Sequence, residues 1–285
     1  MQVPAIEDIV SVQLSVDEFD SLSRLVYDRF GIFLPPEKRT MVTVRLQKVL
    51  RKMGMTSFHE YHEYLTRAGG NSEALIEFAN HITTNHTFFW REKDHFEFFT
   101  RQFLPSISAT LSAKREFDLR IWCAGCSSGE ESYMLQMLLM DYFGAEYPKW
   151  KAGVLATDIS ERALGVAEAG VYPLERIELL PDNYRRKYTK QLPTGEIQIL
   201  PQVQKDVVYR KFNLMNTHFP FKRPFHAIFC RNVMIYFDKP TRDALVERFY
   251  NALEPGGFLF IGHSETISRD SSSFRYISPA LYQKP

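Results

Sequence analysis

The sequence predicts an α/β protein: a mostly parallel sheet wrapped by helices, with an all-α domain in front and a small antiparallel β-subdomain inserted. Three observations carry that prediction. Up to about residue 84 the apolar residues recur only at helical spacing. After about residue 115, strand-like runs alternate with helical ones. One segment, about 184–208, breaks the alternation with a basic stretch and two short strand-like runs around Pro193-Thr-Gly.

The first helix starts at the capping box Ser15-x-x-Glu18 and places Phe19, Leu22, Leu25, Val26 and Phe30 on one face before Gly31 stops it. A second runs from near Pro36 to Gly54 over Val42, Leu46, Val49, Leu50 and Met53. A third follows the capping box Ser57-x-x-Glu60 and ends before Gly69-Gly70, and a fourth covers about 72–84. Four short punctuated helices make a small bundle, residues 1–84. Residues 85–115 read as a linker and helix, and 116–285 as the α/β domain. Its strands are expected at 118–122, 151–158, 207–213, 225–230 and 256–264, with helices at 130–142 and 240–253. In the inserted segment, NYRRKYTK reads as a helix, and EIQIL with KDVVYR as the arms of a hairpin.

Composition excludes several classes. The 285 residues are 45% hydrophobic, and the net charge of +1 comes from 35 basic against 34 acidic residues. That balance argues against nucleic acid as the main partner. No apolar run approaches the roughly 18 residues of a membrane span, so no membrane insertion is expected. The N-terminus MQVPAIEDIV lacks a basic region followed by an apolar one. With three cysteines, which cannot all pair, a reducing cytoplasm is the expected location.

Two of those cysteines form Trp122-Cys-Ala-Gly-Cys126, the pattern of a dithiol oxidoreductase or half a zinc site. A structural zinc site needs four ligands, and only Cys230 remains, so no metal is expected here. A redox dithiol is favoured locally if Cys123 opens a helix, where thiolates are stabilised. The residues that follow suggest a third reading, with the cysteines as small lining groups. Ala124-Gly-Cys-Ser-Ser-Gly-Glu-Glu131 is a small-residue loop between a first strand and a first helix, where backbone can approach a ligand closely. It lacks the G-x-G-x-x-G spacing of pyrophosphate loops and carries two carboxylates, which suit a cationic ligand. Asp158 ends the next strand, where a carboxylate can accept both ribose hydroxyls. A cationic nucleoside without phosphate is S-adenosyl-L-methionine.

More of the chain then falls into place. Thr83-Thr-Asn-His-Thr-Phe-Phe-Trp-Arg-Glu92, Ser128-Gly-Glu-Glu131, Ala156-Thr-Asp-Ile159, Phe229-Cys-Arg-Asn-Val-Met-Ile-Tyr-Phe237 and Gly262-His-Ser-Glu265, with the turn Leu253-Glu-Pro-Gly-Gly, stand in that order. Together they resemble the CheR family, protein-glutamate O-methyltransferases of chemotaxis receptors, over nearly the whole chain. The resemblance implies a class I methyltransferase (Rossmann-like) domain that uses S-adenosyl-L-methionine and releases S-adenosyl-L-homocysteine. It implies cofactor contacts at Asn85, Thr87, Arg91, Glu131, Asp158, Asn213, Leu214, Arg231 and Asn232, and catalytic roles for Arg91 and Tyr236. The acceptor would be the cytoplasmic helical region of a methyl-accepting receptor, docked on the basic face of Arg45, Lys48 and Lys52 in the second helix. Trp90 and Ser132 depart from the Phe and Pro usual in the family. The hairpin turn holds one glycine and is short, which argues against tethering of a receptor's C-terminal pentapeptide. Each assignment has a plain rival: Arg91 as a solvated charge at a helix start, Tyr236 as core, Asn85 as a helix cap.

Overall fold

The computed structural model describes residues 12–67, 73–84, 86–268 and 272–285. The chain forms two compact units that divide after Thr84.

The first unit contains α1 (Val16–Phe30), α2 (Arg39–Met53, entered through a 3₁₀ turn at Pro36–Lys38), α3 (Phe58–Arg67) and α4 (Glu73–Ile82). The capping box at Ser15 and Glu18 is fully formed, and Gly31 and Gly54 close their helices in the left-handed conformation. Phe19, Leu22 and Val26 of α1 are buried with Leu46 and Leu50 of α2 and Phe58 and Leu65 of α3. The α1 and α2 positions are among those that the helical spacing selects, whereas Leu25 and Val49 are half-buried and Met53, at the end of α2, is exposed.

The second unit opens with α5 (Lys93–Phe98), a π-helical turn (Phe99–Phe103) and α6 (Leu104–Ala113). This stretch is no loose tether. The Phe99 ring lies edge-on to Phe229 at 5.5 Å, and Phe103 to Phe258 at 5.7 Å. There follow β1 (Asp118–Ala124), α7 (Glu130–Phe143), β2 (Lys151–Asp158), α8 (Glu161–Ala169), β3 (Val171–Tyr172), α9 (Leu174–Ile177) and α10 (Asp182–Tyr188). Next come β4 (Thr189–Gln191), β5 (Ile197–Ile199), α11 (Pro201–Gln204), β6 (Val207–Lys211), β7 (Phe225–Cys230), α12 (Lys239–Ala252), β8 (Leu253–Ile261), β9 (Arg275–Ser278) and β10 (Leu281–Gln283).

Seven strands form the main sheet in the order β6-β2-β1-β7-β8-β10-β9, parallel from β6 to β8. The last pairings, of β10 with β8 and β9, are antiparallel. The order reverses at β1, because the chain first builds outward through β2 and β6 and then crosses to β7. Such a switch point opens a crevice beyond the carboxyl ends of the strands, here β1 and β7. β7 is buried at every residue and β1 from Ile121 to Ala124. Trp122 is buried among Phe212, Phe219, Phe221, Phe225 and Phe249, which fill one side of the sheet.

The inserted subdomain differs from the expected hairpin. It is a three-stranded antiparallel sheet, β3-β5-β4, in which EIQIL supplies β5 and the C-terminal end of the basic stretch supplies β4. KDVVYR is not its second arm. Residues 207–211 pair in parallel with β2 as an edge of the main sheet. The insert therefore begins earlier, at Val171, and ends before Pro201.

Candidate functional site

At the end of β1 the chain turns through Gly125 and Gly129, both at positive φ. A Cβ on Gly125 would stand 2.5 Å from the Val233 side chain, and one on Gly129 2.7 Å from Ala167. Only glycine lets the loop lie this close to its neighbours. The N–H groups of Gly125 and Cys126 both donate to the Thr157 carbonyl, which ties the loop to the end of β2. Ser127, also left-handed, donates its N–H to Asp158 Oδ2 at 2.8 Å, while the Ser160 N–H donates to Oδ1 at 2.9 Å. Burial raises the Asp158 carboxyl above its ordinary range, although these N–H groups oppose it. The Ile159 N–H also acts on it, and a carboxylate with about four acceptor positions can still receive a further donor.

The N-terminus of α7 is held from the other side. Glu130 is fully buried, accepts from Ser128 Oγ at 2.8 Å and pairs with Arg176 Nη2 at 2.6 Å. Burial raises its carboxyl, against the pull of Arg176 and Ser128. Arg176 also donates to the Thr87 carbonyl at 3.4 Å, and Tyr172 Oη to the Ser128 carbonyl at 2.6 Å. The inserted subdomain thus braces the loop.

Arg231, just past β7, is the hub beneath the crevice. Its side chain is 2% exposed and bonds Glu131 Oε2 at 2.5 Å, Glu92 Oε2 at 3.1 Å and the Arg91 carbonyl. Burial opposes its charge, but Glu131 and Glu92 outweigh that and raise its pKa above the usual arginine value. Glu92 is pushed up by burial and pulled further down by Arg231 and Asn232, so its carboxyl lies below the ordinary range. Asn232, at positive φ, donates to Glu92 Oε1 at 3.2 Å. The buried Glu265 carboxylate accepts the N–H groups of Asn232, Ile235 and Gly262 and so shapes the 232–236 turn.

Glu131, Arg231 and Asn232 share one network through Glu92, and Asp158 holds the β1–α7 loop that leads into Glu131 through the Ser127 N–H. Asn213 follows β6, whose end is tied to Asp158 by Phe212 N–H to the Asp158 carbonyl, and Leu214 is buried behind it. Tyr236 ends the 3₁₀ turn Met234–Tyr236 and is half-buried, not core. Arg91 lies before α5, between left-handed Trp90 and Glu92, with Nη1 on the His86 carbonyl at 2.7 Å. It therefore precedes the helix rather than starting it, and its half-buried side chain folds back on the local backbone. Asn85 lies outside the described residues.

Two expectations change. Cys123 is a buried β1 residue, not a helix-opening thiolate. Burial first, then the Glu131 charge, push its thiol well up, and Sγ donates to Glu131 Oε1 at 3.1 Å. Cys126 is equally buried, and its thiol is also raised by burial. Arg45 does not stand free beside Lys48 and Lys52. Its guanidinium donates to the carbonyls of Ile82 and Thr83 at 2.9 and 3.0 Å and to Thr84 Oγ1 at 3.0 Å, capping α4. Lys48 and Lys52 are exposed. Glu92, Glu130, Arg176 and Glu265 were missed as site-forming residues; Glu92, Glu130 and Glu265 stand inside the quoted motifs, while no pattern marks Arg176.

The sequence matches two family models end to end. Residues 17–83 match the CheR methyltransferase all-alpha domain, and 85–282 match the CheR methyltransferase SAM-binding domain. The chain belongs to the CheR methyltransferase family. A chemotaxis protein methyltransferase of Borreliella burgdorferi is 41% identical over 96% of both chains. That of Salmonella typhimurium is 36% identical over 94% of this chain and 90% of its own, and that of Escherichia coli 35% over 94% and 91%. Family membership establishes methyl transfer from S-adenosylmethionine as the reaction class, and the α/β unit as the CheR cofactor-binding domain. Among the described residues no helix is long and apolar enough to cross a membrane.

Proposed function

We propose that this CheR protein methylates glutamate side chains of chemotaxis receptors in the cytoplasm, forming γ-carboxyl methyl esters. The observation that carries the reading is the crevice at the β1/β7 switch point. It offers Asp158 and Glu131 to a cationic nucleoside and has no phosphate-type glycine loop. Asp158 would accept the ribose hydroxyls, Glu131 would face the amino-acid end, and Asn213 and Leu214 would border the adenine. Arg231 and Asn232 form the floor, with Thr87, Arg91 and Asn85 contributing from the segment before α5.

The chemistry asks little of the protein beyond geometry. A glutamate with an ordinary pKa of about 4.3 is already ionised at neutral pH, so the nucleophile needs no general base. The acceptor oxygen attacks the methyl carbon in line with the C–S bond; that bond breaks, and its electron pair returns to sulfur. Positive charge on sulfur and negative charge on the carboxylate vanish together, so holding them in contact and excluding water is the main contribution. Tyr236 would orient the acceptor carboxylate by a hydrogen bond, and Arg91 would position it by charge. Lys48 and Lys52 would steer an acidic receptor helix toward the first unit. The short β4–β5 turn, closed by Gly195 N–H to the Leu192 carbonyl, gives no reason to invoke a receptor C-terminal tether.

Incubation with methyl-labelled cofactor and receptor-bearing membranes tests the reading. Label should enter the receptor and leave as methanol on mild base treatment. Label that survives base points to nitrogen or another acceptor and refutes the carboxylate assignment.

A further inference from the structure

A cluster next to the Arg231 hub plays no part in this chemistry. Glu92, His95 and His263 each offer one ligand atom, and the three atoms lie within 4.8 Å of one another. His95 is 2% exposed, and neither ring nitrogen makes a hydrogen bond. A buried imidazole ordinarily satisfies at least one nitrogen, and leaving both bare costs on the order of 1–3 kcal/mol. Its Nδ1 stands 3.6 Å from Glu92 Oε2, too far for a hydrogen bond but close to the roughly 3.5 Å between two ligands of one tetrahedral zinc ion.

The backbone explains the placement. Glu92 is left-handed and His95 lies one turn later, with its N–H on the Glu92 carbonyl at 3.1 Å. The resulting Glu-x-x-His pair at i, i+3 presents carboxylate and imidazole together, a spacing that recurs in helical metal sites. His263 comes from the turn after β8 and meets the His95 ring edge-on at 4.9 Å between centroids. One of its nitrogens, Nε2, is engaged by Asp94 Oδ2 at 2.9 Å. A carboxylate on one nitrogen orients a histidine and frees the other for a metal bond. Charge fits too. Arg231 is paired with Glu92 and Glu131, and Asp94 with His263, so carboxylate charge around the cluster exceeds that of the arginine by an amount that a dication neutralises. His263 is 45% exposed on its side chain, which gives an ion a path in.

We propose that Glu92, His95 and His263 form a binding site for a divalent cation of the zinc class, with water completing the coordination and Asp94 bracing His263. Two nitrogens and one carboxylate oxygen suit Zn²⁺ or Co²⁺ over Mg²⁺ or Ca²⁺, which prefer all-oxygen shells. The site shares Glu92 with Arg231, so it adjoins the cofactor floor without using any residue assigned to the cofactor.

Calorimetric titration of the full chain with ZnCl₂ tests the proposal, alongside CoCl₂ followed by visible absorption. One ion should bind per chain, with the intense d–d bands of a tetrahedral Co²⁺ site, and MgCl₂ should not compete. His263→Ala, at an exposed position, should keep the fold, weaken Zn²⁺ binding at least tenfold and abolish those bands. His95→Gln should do the same, and Glu92→Gln should weaken binding. The exposed pairs His59–Glu63 and His81–Glu77 could hold zinc loosely, and the His263 variant separates them from this site. Absence of stoichiometric binding, or equal Zn²⁺ affinity and unchanged Co²⁺ bands in His263→Ala, overturns the proposal.

Discussion

Replacing Arg231 by Met keeps the apolar stem and removes the charge. The guanidinium it deletes lies between Glu131 at 2.5 Å and Glu92 at 3.1 Å, whose side chains are only 15% and 13% exposed. Removing one partner of a buried ion pair leaves its counter-charge stranded and costs about 3–5 kcal/mol. Here two carboxylates are stranded, although Asn232 still donates to Glu92 and the Cys123 thiol to Glu131, so the lower half of that range is expected. Against a typical total of 5–15 kcal/mol the loss is large. Urea unfolding by circular dichroism measures it, with a lowered midpoint and an unchanged slope. Adding Glu92→Gln to Arg231→Met should recover about 1–2 kcal/mol, because one stranded charge disappears. A loss below about 1 kcal/mol, or no recovery in the double variant, would show that Arg231 is not the hub described.

Asp158→Ala should weaken S-adenosylmethionine at least tenfold by calorimetry, since two charge-assisted hydrogen bonds of about 1.5–3 kcal/mol each are lost; unchanged affinity contradicts the ribose assignment. Tyr236→Phe should lower kcat more than cofactor affinity, and kcat should stay flat from about pH 6 to 9 because the acceptor is already ionised. Charge reversal at Lys48 and Lys52 should raise the receptor KM and leave cofactor affinity alone, whereas Arg45→Ala should destabilise the first unit by about 1–2 kcal/mol through the lost α4 cap. His226 is buried beside Arg120, and burial followed by the Arg120 and Arg223 charges, against Asp118, lowers it to about 4. The unfolded chain therefore takes up a proton below about pH 6.5 that the folded chain refuses. Stability should fall as pH drops from about 6.5 to 4, by about 3 kcal/mol from this group, and His226→Gln should flatten that limb in a thermal-unfolding series.

Much of this was legible because burial and periodicity agree. β2 and β7 lie where continuous apolar runs place them, and Ser15 and Glu18 cap α1 as their spacing demands. β6 carries two expectations, a strand of the main sheet at 207–213 and a hairpin arm, and only the second fails. It is a sheet edge, with Val207 and Tyr209 buried and Val208 and Arg210 exposed, and that alternation is also what a hairpin arm shows. Arg45 shares a helical face with Lys48 and Lys52, but spacing along one helix cannot reveal that the end of α4 lies against it. The dithiol pattern misleads because Cys123 falls inside β1 rather than at a helix start. The left-handed Trp90 and Glu92 bring Glu92 to Arg231, and neither is a residue type that announces such a backbone.

The central claim is carboxylate methylation of a receptor by this crevice, and peptide mapping of the modified receptor by mass spectrometry tests it most directly. The account predicts one added methyl group on specific glutamate side chains of the cytoplasmic helices, diminished with Asp158→Ala at limiting cofactor and removed by hydroxide. Modification confined to lysine or another side chain, or ester formation undiminished by Asp158→Ala at limiting cofactor, would contradict it.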